Sequence, residues 1–351
     1  MILHSKPTIT GQEIKLIQKV LDSNQLTQDG FVKKFEQKIS LLFEKRFSVC
    51  VSSGSTALHL LLKSLGIQKN DEVIIPAYTC SALLYSVLNC GAKPVIVDVN
   101  YDDMNISYED TISRITKKTK AIIVPHMFGF PAKDIKKLLS LKIAVIEDCA
   151  QSVGAKIFNK PVGSFTNYGI TSFYGTKMLT SGGEGGAVFS NSKDIYKKII
   201  QLRNYDKTME SSLKYNYKMT ELQAAFGISQ IEKIKSFILR RKKIAQVYTN
   251  ELKNCNIELP KISLNIEPVF YRYVIRVNPK TDLDKTIEYY MQKNVQVARP
   301  LFMPLDKLYY KKYFCKNSMQ LHKTSISLPI YPMLEDFEIE KIIKITKNIF
   351  G

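Results

Sequence analysis

The sequence predicts an α/β fold in which helices cover a mostly parallel sheet. Short runs rich in Val and Ile alternate with helical patterns between residues 48 and 190. Most of these runs are continuously apolar, which is typical of strands that are buried on both faces of a parallel sheet. Strand–helix–strand alternation also favours a layered α/β architecture over an all-helical or all-strand fold.

Seven strands are predicted between residues 48 and 190. They lie at residues 48–52, 72–76, 94–98, 121–125, 143–147, 170–173 and 186–190. Helical patterns separate several of them, for example at residues 56–65 and 81–89, and a further helix is predicted at about residues 11–21. We therefore expect a seven-stranded, mostly parallel sheet.

A long helical stretch from Thr220 to about Asn254 predicts the connection between two domains. It contains no proline and one glycine, Gly227, so it can continue as a long helix, with or without a break. Beyond it, strand-like runs at 269–277 and 295–298 mix with helical runs at 282–293 and 336–349. We expect a large α/β domain over residues 1–235, including the N-terminal helix, and a smaller α+β domain over residues 236–351.

Composition narrows the class of protein. The chain has 351 residues, of which 45% are hydrophobic and 24% charged, as in ordinary globular proteins. No apolar run reaches the roughly 18 residues of a membrane-spanning helix, and residues 1–10 lack the apolar core of a signal peptide. The six cysteines form no CxxC pair and the four histidines are widely spaced, so we expect no disulfide framework and no metal site. These features predict a cytoplasmic protein without membrane association.

The formal charge of +19 suggests an anionic partner. A nucleic acid is one possibility, but the lysines are spread along the chain, without a helix-turn-helix pattern, a zinc finger or a basic tail. We therefore expect no nucleic-acid partner. The same charge would suit a small substrate that carries a diphosphate.

Three motifs carry candidate chemistry. The first, residues 52–58 (SSGSTAL), follows a strand and opens a helix, where backbone N–H groups and hydroxyls can bind a phosphate. Taken alone, it could also be a simple helix N-cap. The second, residues 147–152 (EDCAQS), places Asp148 at the carboxyl edge of the sheet, where open α/β folds bind ligands. Taken alone, Asp148 could also be a solvated loop acid or a cap.

The third motif places Lys177 after a short strand and before the glycine-rich stretch 182–186 (GGEGG). A lysine that forms a Schiff base must reach its partner from a rigid element while the backbone passes close by. The alternative is an ordinary surface lysine in a loop. The chain thus presents a phosphate site, an aromatic residue (Tyr78), an acid (Asp148) and a lysine, in that order.

This order resembles the DegT/DnrJ-type sugar aminotransferases, which are fold-type I enzymes that depend on pyridoxal 5'-phosphate (PLP). The likeness runs from about Lys6 to Ile349, nearly the whole chain. Other stretches similar to that family are residues 74–79, 124–129, 216–219, 221–225 and 327–332. The resemblance implies transfer of an amino group from glutamate or glutamine to a keto sugar, nucleotide-linked, for glycan or polysaccharide biosynthesis.

The resemblance also implies roles for individual residues. Lys177 would hold PLP as a Schiff base and move the proton, while Asp148 would keep the ring nitrogen protonated so that the ring can accept electrons. The other implied contacts are Gln151 near the ring hydroxyl, Tyr78 stacked on the ring face, Gly54, Ser55 and Ser172 on the phosphate, and Asn216 on the phosphate of the partner subunit. These contacts imply a homodimer with a shared active site.

Two departures from the family pattern and three alternatives remain. Ser55-Thr56 stands where the family usually has Thr-Ala, and Lys218 stands where Arg is common, which loses the bidentate fork. A dehydratase on this fold usually has His in place of Lys177, and a non-catalytic regulatory protein on the same scaffold need not keep Lys177, Asp148 and Gln151 together. An aminotransferase that acts on a carbocyclic ketone stays open.

Overall fold

The computed structural model describes residues 1–206, 213–309 and 314–351. Its helices are α1 (Gly11–Ser23), α2 (Gly30–Leu42), α3 (Gly54–Ser64), α4 (Ala82–Asn89), α5 (Tyr108–Ser113), α6 (Ile135–Leu139), α7 (Lys193–Arg203), α8 (Glu221–Leu252), α9 (Leu283–Gln292), α10 (Leu305–Leu308), α11 (Lys316–Thr324) and α12 (Asp336–Phe350). Its strands are β1 (Phe47–Val51), β2 (Glu72–Pro76), β3 (Lys93–Val97), β4 (Thr119–Pro125), β5 (Ala144–Asp148), β6 (Lys156–Ile157), β7 (Lys160–Pro161), β8 (Tyr168–Ser172), β9 (Gly186–Ser190), β10 (Ile257–Glu258), β11 (Ile266–Glu267), β12 (Tyr273–Val277) and β13 (Ser325–Leu328).

The central sheet has seven strands in the order β1-β9-β8-β5-β4-β2-β3, which confirms the predicted sheet. Strands β8, β5, β4, β2 and β3 pair in parallel, while β9 is antiparallel to both of its neighbours. Successive residues of β2 enter different cores, since Ile74 packs with one cluster and Ile75 with the other. Burial on both faces is why the strands are apolar throughout.

Helix α8 is one unbroken helix of 32 residues. A capping box between Thr220 and Gln223 begins it. Its early residue Ala224 packs in the core of the sheet, whereas Tyr248 packs in a separate C-terminal core. The predicted division at residue 235 therefore falls inside a continuous helix, so the two cores are joined by a helix rather than by a loop. The division itself stays a prediction.

The C-terminal half forms a three-stranded sheet in the order β10-β12-β13. The predicted strand at 269–277 is shorter in the structure and begins at Tyr273, because residues 269–272 cross over to the loop after β4. The predicted strand at 295–298 forms isolated bridges, in which Ile2 pairs with Val295 and Ala298 with Ser327. The N-terminal segment is thereby joined to the C-terminal half.

Helix α1 packs along α8 through a buried carboxylate, that of Glu13, which contacts Gln230 and Lys233. Among the residues described, each helix is too short or too polar to cross a lipid bilayer.

Candidate active site

A cavity of about 400 Å³ lies where β1, β2, β4, β5 and β8 end. This is the carboxyl edge of the sheet, where open α/β folds bind ligands. Most of the predicted site residues line it, namely Gly54, Ser55, Asp148, Gln151, Ser172 and Lys177. Tyr78 and Asn216 are not part of its wall.

One end of the cavity is a cup of N–H and hydroxyl groups at the start of α3. Ser53 caps this helix, because its Oγ accepts the N–H of Thr56 at 3.1 Å. The N–H groups of Gly54 and Ser55 have no acceptor in the described part of the chain. A Cβ on Gly54 would lie 2.7 Å from the Cβ of Ser172, so only glycine lets the helix approach this hydroxyl. We call Gly54, Ser55 and Ser172 the phosphate cup, since free N–H groups at a helix N-terminus bind phosphate.

Asp148 ends β5 at the base of the cavity, and 7% of its surface is exposed. One of its carboxylate oxygens accepts the N–H of Ala150 at 2.9 Å. Burial raises the pKa of Asp148, while the hydrogen bond from Ala150 and the charge of Lys177 oppose that rise. The acid thus sits in a poorly solvated place with a cation as its counterpart, which suits pairing with a protonated ring nitrogen.

Lys177 lies on a turn that the glycine-rich stretch holds in place. Its backbone N–H donates to the carbonyl of Tyr174 at 2.9 Å, and the N–H of Gly175 donates to the carbonyl of Gly183 at 2.8 Å. Gly183 has a φ of 126°, which favours glycine. The half-buried amine points to the C-terminal side, where its Nζ lies 5.2 Å from the ring centre of Tyr271.

Gln151 and His126 complete the side of the cavity that the sheet supplies. The Oε1 of Gln151 accepts the N–H of Phe128 at 2.9 Å, which leaves its amide N–H groups for a bound oxygen. The Nδ1 of His126 accepts the N–H of Ala132 at 3.0 Å, so the proton is on Nε2, which donates to the buried Glu147 at 3.2 Å. Both nitrogens of His126 are therefore engaged by the protein.

Glu147, which sequence reasoning left without a role, is an anchor for the loop that follows β7. It accepts the N–H of Gly163 at 2.6 Å and the N–H and hydroxyl of Thr166 at 2.9 and 3.0 Å. Burial opposes its charge, but the hydrogen bonds from His126 and from the two backbone donors bring the pKa of Glu147 below its ordinary value. The side-chain ligand atoms of His126, Glu147 and Cys149 lie within 4.8 Å of one another, as the ligands of a metal ion would. Hydrogen bonds within the protein, however, already engage His126 and Glu147.

The stacking role expected of Tyr78 does not fit its position in the structure. Its side chain has no exposed surface and lies edge-on to Phe128, with ring centres 6.0 Å apart. It belongs to a buried cluster that also contains Val274 of the C-terminal sheet. The chain turns after β2, so the next two residues, Thr79 and Cys80, line the cavity instead.

Asn216 is exposed and lies outside the cavity of its own chain. Its segment runs beside β1. The N–H of Ser52 donates to the carbonyl of Tyr217 at 2.9 Å, and the backbone of Lys218 forms an isolated antiparallel bridge with Val51. It therefore lies next to the strand that leads into the phosphate cup. Its action in a partner subunit stays a prediction.

The opposite side of the cavity comes from the C-terminal half and includes Tyr271 and Arg272, which sequence reasoning missed. Burial alone would raise the pKa of the Tyr271 phenol, but the charges of Lys177 and Arg272 bring it below its ordinary value. The N–H of Arg272 donates to the carbonyl of Phe128 at 3.2 Å. The signal in the sequence was Arg272 itself, the first of two arginines in the otherwise apolar run 269–277.

A glycine allows the loop after β4 to cross the segment before β12 at close range. Gly129 has a φ of 88°, and a Cβ on it would lie 2.6 Å from the backbone nitrogen of Tyr271. The loop after β4 and the segment before β12 can therefore approach each other only at a glycine, which fixes the distance between the two sides of the cavity.

Comparison with known proteins gives a consistent result. The sequence matches the model of the DegT/DnrJ/EryC1/StrS aminotransferase family over residues 7–347. It is 32% identical to GDP-perosamine synthase of Vibrio cholerae over 368 residues, which cover 100% of both chains. It is also 32% identical to dTDP-3-amino-3,6-dideoxy-alpha-D-galactopyranose transaminase of Aneurinibacillus thermoaerophilus, over 93% of this chain and 92% of that one.

A solved structure is similar over most of its length as well. The crystal structure of ntda from Bacillus subtilis with bound cofactor PMP matches this chain with a TM-score of 0.87 and 26% identity. The match covers 97% of this chain and 82% of that chain.

Proposed function

Because the chain belongs to the DegT/DnrJ/EryC1/StrS aminotransferase family, we propose that it transfers an amino group from glutamate or glutamine to a nucleotide-linked keto sugar. It is a PLP-dependent sugar aminotransferase, and its relatives serve polysaccharide biosynthesis. The observation that carries the proposal is the meeting of Lys177, Asp148 and the phosphate cup around one cavity.

The residues of the cavity fit PLP. The unengaged N–H groups of Gly54 and Ser55 and the hydroxyl of Ser172 would hold its phosphate. Asp148 would pair with the ring nitrogen, and the free amide N–H groups of Gln151 would donate to the ring hydroxyl. Lys177 would bind its aldehyde carbon. These groups all come from one side of the cavity, the side at the carboxyl ends of the sheet strands.

When bound, PLP supplies an electron sink for the carbon that loses its proton. The protein supplies the rest. Asp148 would keep the ring nitrogen protonated, and the Nζ of Lys177 would move a proton between the Cα of the amino acid and the C4′ of the cofactor. The turn at Gly175 and Gly183 keeps the lysine in reach while it does so.

A nucleotide-linked sugar is proposed as acceptor on two grounds. The similar proteins named above act on GDP- and dTDP-linked sugars, and the chain has a formal charge of +19, which attracts a diphosphate. The alternative acceptor is a carbocyclic ketone without a diphosphate.

The test is to screen keto nucleotide sugars against the purified enzyme, with consumption of glutamate as the readout. We expect turnover of a GDP-, UDP- or dTDP-linked 3-keto or 4-keto sugar that falls with ionic strength, because salt screens the attraction. Equal turnover of an uncharged free keto sugar or a carbocyclic ketone, without salt dependence, would reject the nucleotide handle.

We also propose that two copies share each active site through Asn216 and that the protein works in the cytoplasm. The proposal is supported by the exposure of Asn216 and by its place beside the strand that leads into the phosphate cup. All six cysteines are free, and four are buried, which fits a reducing compartment.

A further inference from the structure

We propose that Arg272 binds a carboxylate of the amino-acid donor and that His4 holds its guanidinium in place. The inference rests on the proposed function, because it assumes that the cavity receives an amino acid as well as a sugar. It assigns the C-terminal side of the cavity to recognition of the donor.

Arg272 is a cation without an anion. Among the described residues no carboxylate lies within 4 Å of its guanidinium, whereas five other arginines each have an acidic partner, namely Arg114, Arg203, Arg240, Arg276 and Arg299. Of the acids on the cavity wall, Asp148 lies at the base and Glu184 on the glycine-rich stretch. A half-buried guanidinium that lacks a counter-charge is costly unless a ligand supplies one.

His4 contacts this guanidinium without neutralising it. Its Nε2 lies 3.3 Å from the Nη1 of Arg272 and 2.9 Å from the Oγ of Ser327, and its Nδ1 lies 2.9 Å from the Oγ of Ser5. Burial, and then the charges of Arg272 and Arg241, lower the pKa of His4 to about 3. The ring is therefore neutral at neutral pH, and Nε2 accepts from Arg272 while Nδ1 donates to Ser5.

The backbone beneath Arg272 is also fixed. The Nη1 of Arg241 donates to the carbonyls of Phe270, Tyr271 and Ile330, at 3.2, 3.2 and 2.7 Å. Arg241 is itself buried, and within the described part of the chain its guanidinium donates only to carbonyls, so it too leaves the local positive charge uncompensated. The segment thus presents a positioned cation that keeps its charge for a ligand.

The location favours a donor carboxylate over a diphosphate. The Nζ of Lys177 and the Cζ of Arg272 lie 5.2 and 5.6 Å from the same ring centre, that of Tyr271. An α-amino acid carries its carboxylate on the carbon that bears its amino group, so a guanidinium that lines the same cavity as the lysine can bind this carboxylate in a bidentate pair. The diphosphate of a nucleotide sugar is separated from the keto carbon by the sugar ring.

The main test compares Arg272→Gln, Arg272→Lys and the control Arg240→Gln in the holoenzyme. For Arg272→Gln we expect the KM for glutamate to rise by about 100-fold and the KM for the keto sugar to stay within about twofold, since a charge-assisted pair is lost. The Lys variant should recover part of the loss, because it keeps the charge without the fork. The control, whose half-buried guanidinium already pairs with the exposed Asp336, should behave as the wild type.

A binding readout makes the test independent of turnover. Maleate, a dicarboxylate that cannot react, is titrated into each holoenzyme and followed by the absorbance of the bound cofactor. We expect Arg272→Gln to weaken maleate binding and Arg240→Gln to leave it unchanged. If Arg272→Gln instead raises the KM for the keto sugar and spares glutamate and maleate, or changes none of them, the assignment is wrong.

His4 is tested as a positioning residue. His4→Ala should raise the KM for glutamate by roughly five- to tenfold at unchanged kcat, and His4→Gln, which keeps an acceptor, should restore part of it. A fall in kcat with no change in KM would show a merely structural role and overturn the assignment of His4. Failure of the proposed function is recognised separately, since borohydride would then not fix PLP onto Lys177 in the wild type.

Discussion

The two sides of the cavity are built in different ways. The cofactor wall, which consists of the phosphate cup, Asp148 and Lys177, lies on the carboxyl ends of strands in one sheet. The C-terminal wall, Tyr271 and Arg272, depends on segments as distant in sequence as His4 and Ser327. The first wall is fixed by the fold, whereas the second is assembled from separate parts of the chain.

The walls also differ in charge. On the cofactor wall the acid Asp148 faces the cation Lys177, whose charge opposes the rise that burial causes in the pKa of Asp148. On the C-terminal wall Arg272 has a neutral histidine as its partner and no described acid. A balanced wall suits a resident cofactor, and an unbalanced one suits anionic substrates that enter and leave.

The largest effect is expected from Lys177→Ala on the cofactor wall. Transamination should fall by at least about 1,000-fold, because the proton transfer loses its base. The fold should persist, since the amine is half-buried and only its backbone N–H takes part in the turn. In the wild type, borohydride should fix PLP onto Lys177, as peptide mapping would show.

Lys344→Ala, on the exposed face of α12, is the matched control and should keep full activity. Recovery of the label on a lysine other than Lys177 would contradict the assignment.

Asp148→Asn should have the second largest effect. An amide cannot stabilise the positive ring nitrogen, so kcat should drop on the order of 100-fold. The thermal midpoint should stay close to that of the wild type, because the hydrogen bond from Ala150 can be kept by the amide oxygen. Steady-state kinetics and thermal unfolding are measured on the same preparation, and near-normal turnover would reject the electron-sink role.

The difference in construction explains what the sequence could and could not predict. The seven strands were found because continuous burial leaves a continuous apolar run, and strand ends and short motifs then located Gly54, Asp148 and Lys177. Tyr78 was wrongly assigned to the cavity because a sequence does not tell which of the residues after a strand faces the cavity and which is buried in the core. Arg272 and His4 carry no local motif, since their meeting is a matter of tertiary contact.

Other misses have the same origin. Helices α2 and α7 and strand β13 were not predicted, and β13 contains two serines, which weaken its apolar signal. Its Ser327 is nevertheless fully buried and bonds to His4. Polar residues that are satisfied by distant partners look like loop residues when only their neighbours in sequence are seen.

The third prediction asks whether the cofactor wall is completed by a second copy. The test mixes two variants, Lys177→Ala and Asn216→Asp, each of which should be inactive alone. The second places a carboxylate against the phosphate, where like charges repel. If Asn216 acts across a two-fold interface, a mixed dimer carries both lesions in one site and leaves the other intact. Activity should then return in roughly a quarter of all sites after random exchange of subunits.

The control for this mixture is each variant exchanged with itself, which should stay inactive. With exchange shown by differently tagged subunits, the absence of any recovery would mean that Asn216 serves its own chain or no site at all.

The smallest expected effect concerns how the N-terminal segment, which carries His4, is held on the body of the protein. The buried carboxylate of Glu13 accepts from Thr10 at 2.8 Å and from Gln230 at 2.6 Å and pairs with Lys233. Burial opposes its charge, yet the hydrogen bonds from Lys233, Thr10 and Gln230 lower the pKa of Glu13 to about 2. Glu13→Gln should therefore lower the free energy of unfolding by about 2 kcal/mol at neutral pH.

The sign of the pH dependence follows from that shift. A carboxyl whose pKa is lower in the folded than in the unfolded protein stabilises the fold above its ordinary pKa of 4.5, and this contribution is lost as the pH falls from 4.5 towards 2. The difference in thermal midpoint between wild type and Glu13→Gln should hence shrink over that range. The control Glu232→Gln, which changes an exposed acid of α8, should change the midpoint little at any pH. A difference that stays constant down to pH 3 would mean that Glu13 stabilises the contact between α1 and α8 by packing rather than by its charge. The N-terminal segment, which brings His4 to the C-terminal wall, would then be held in place by shape alone.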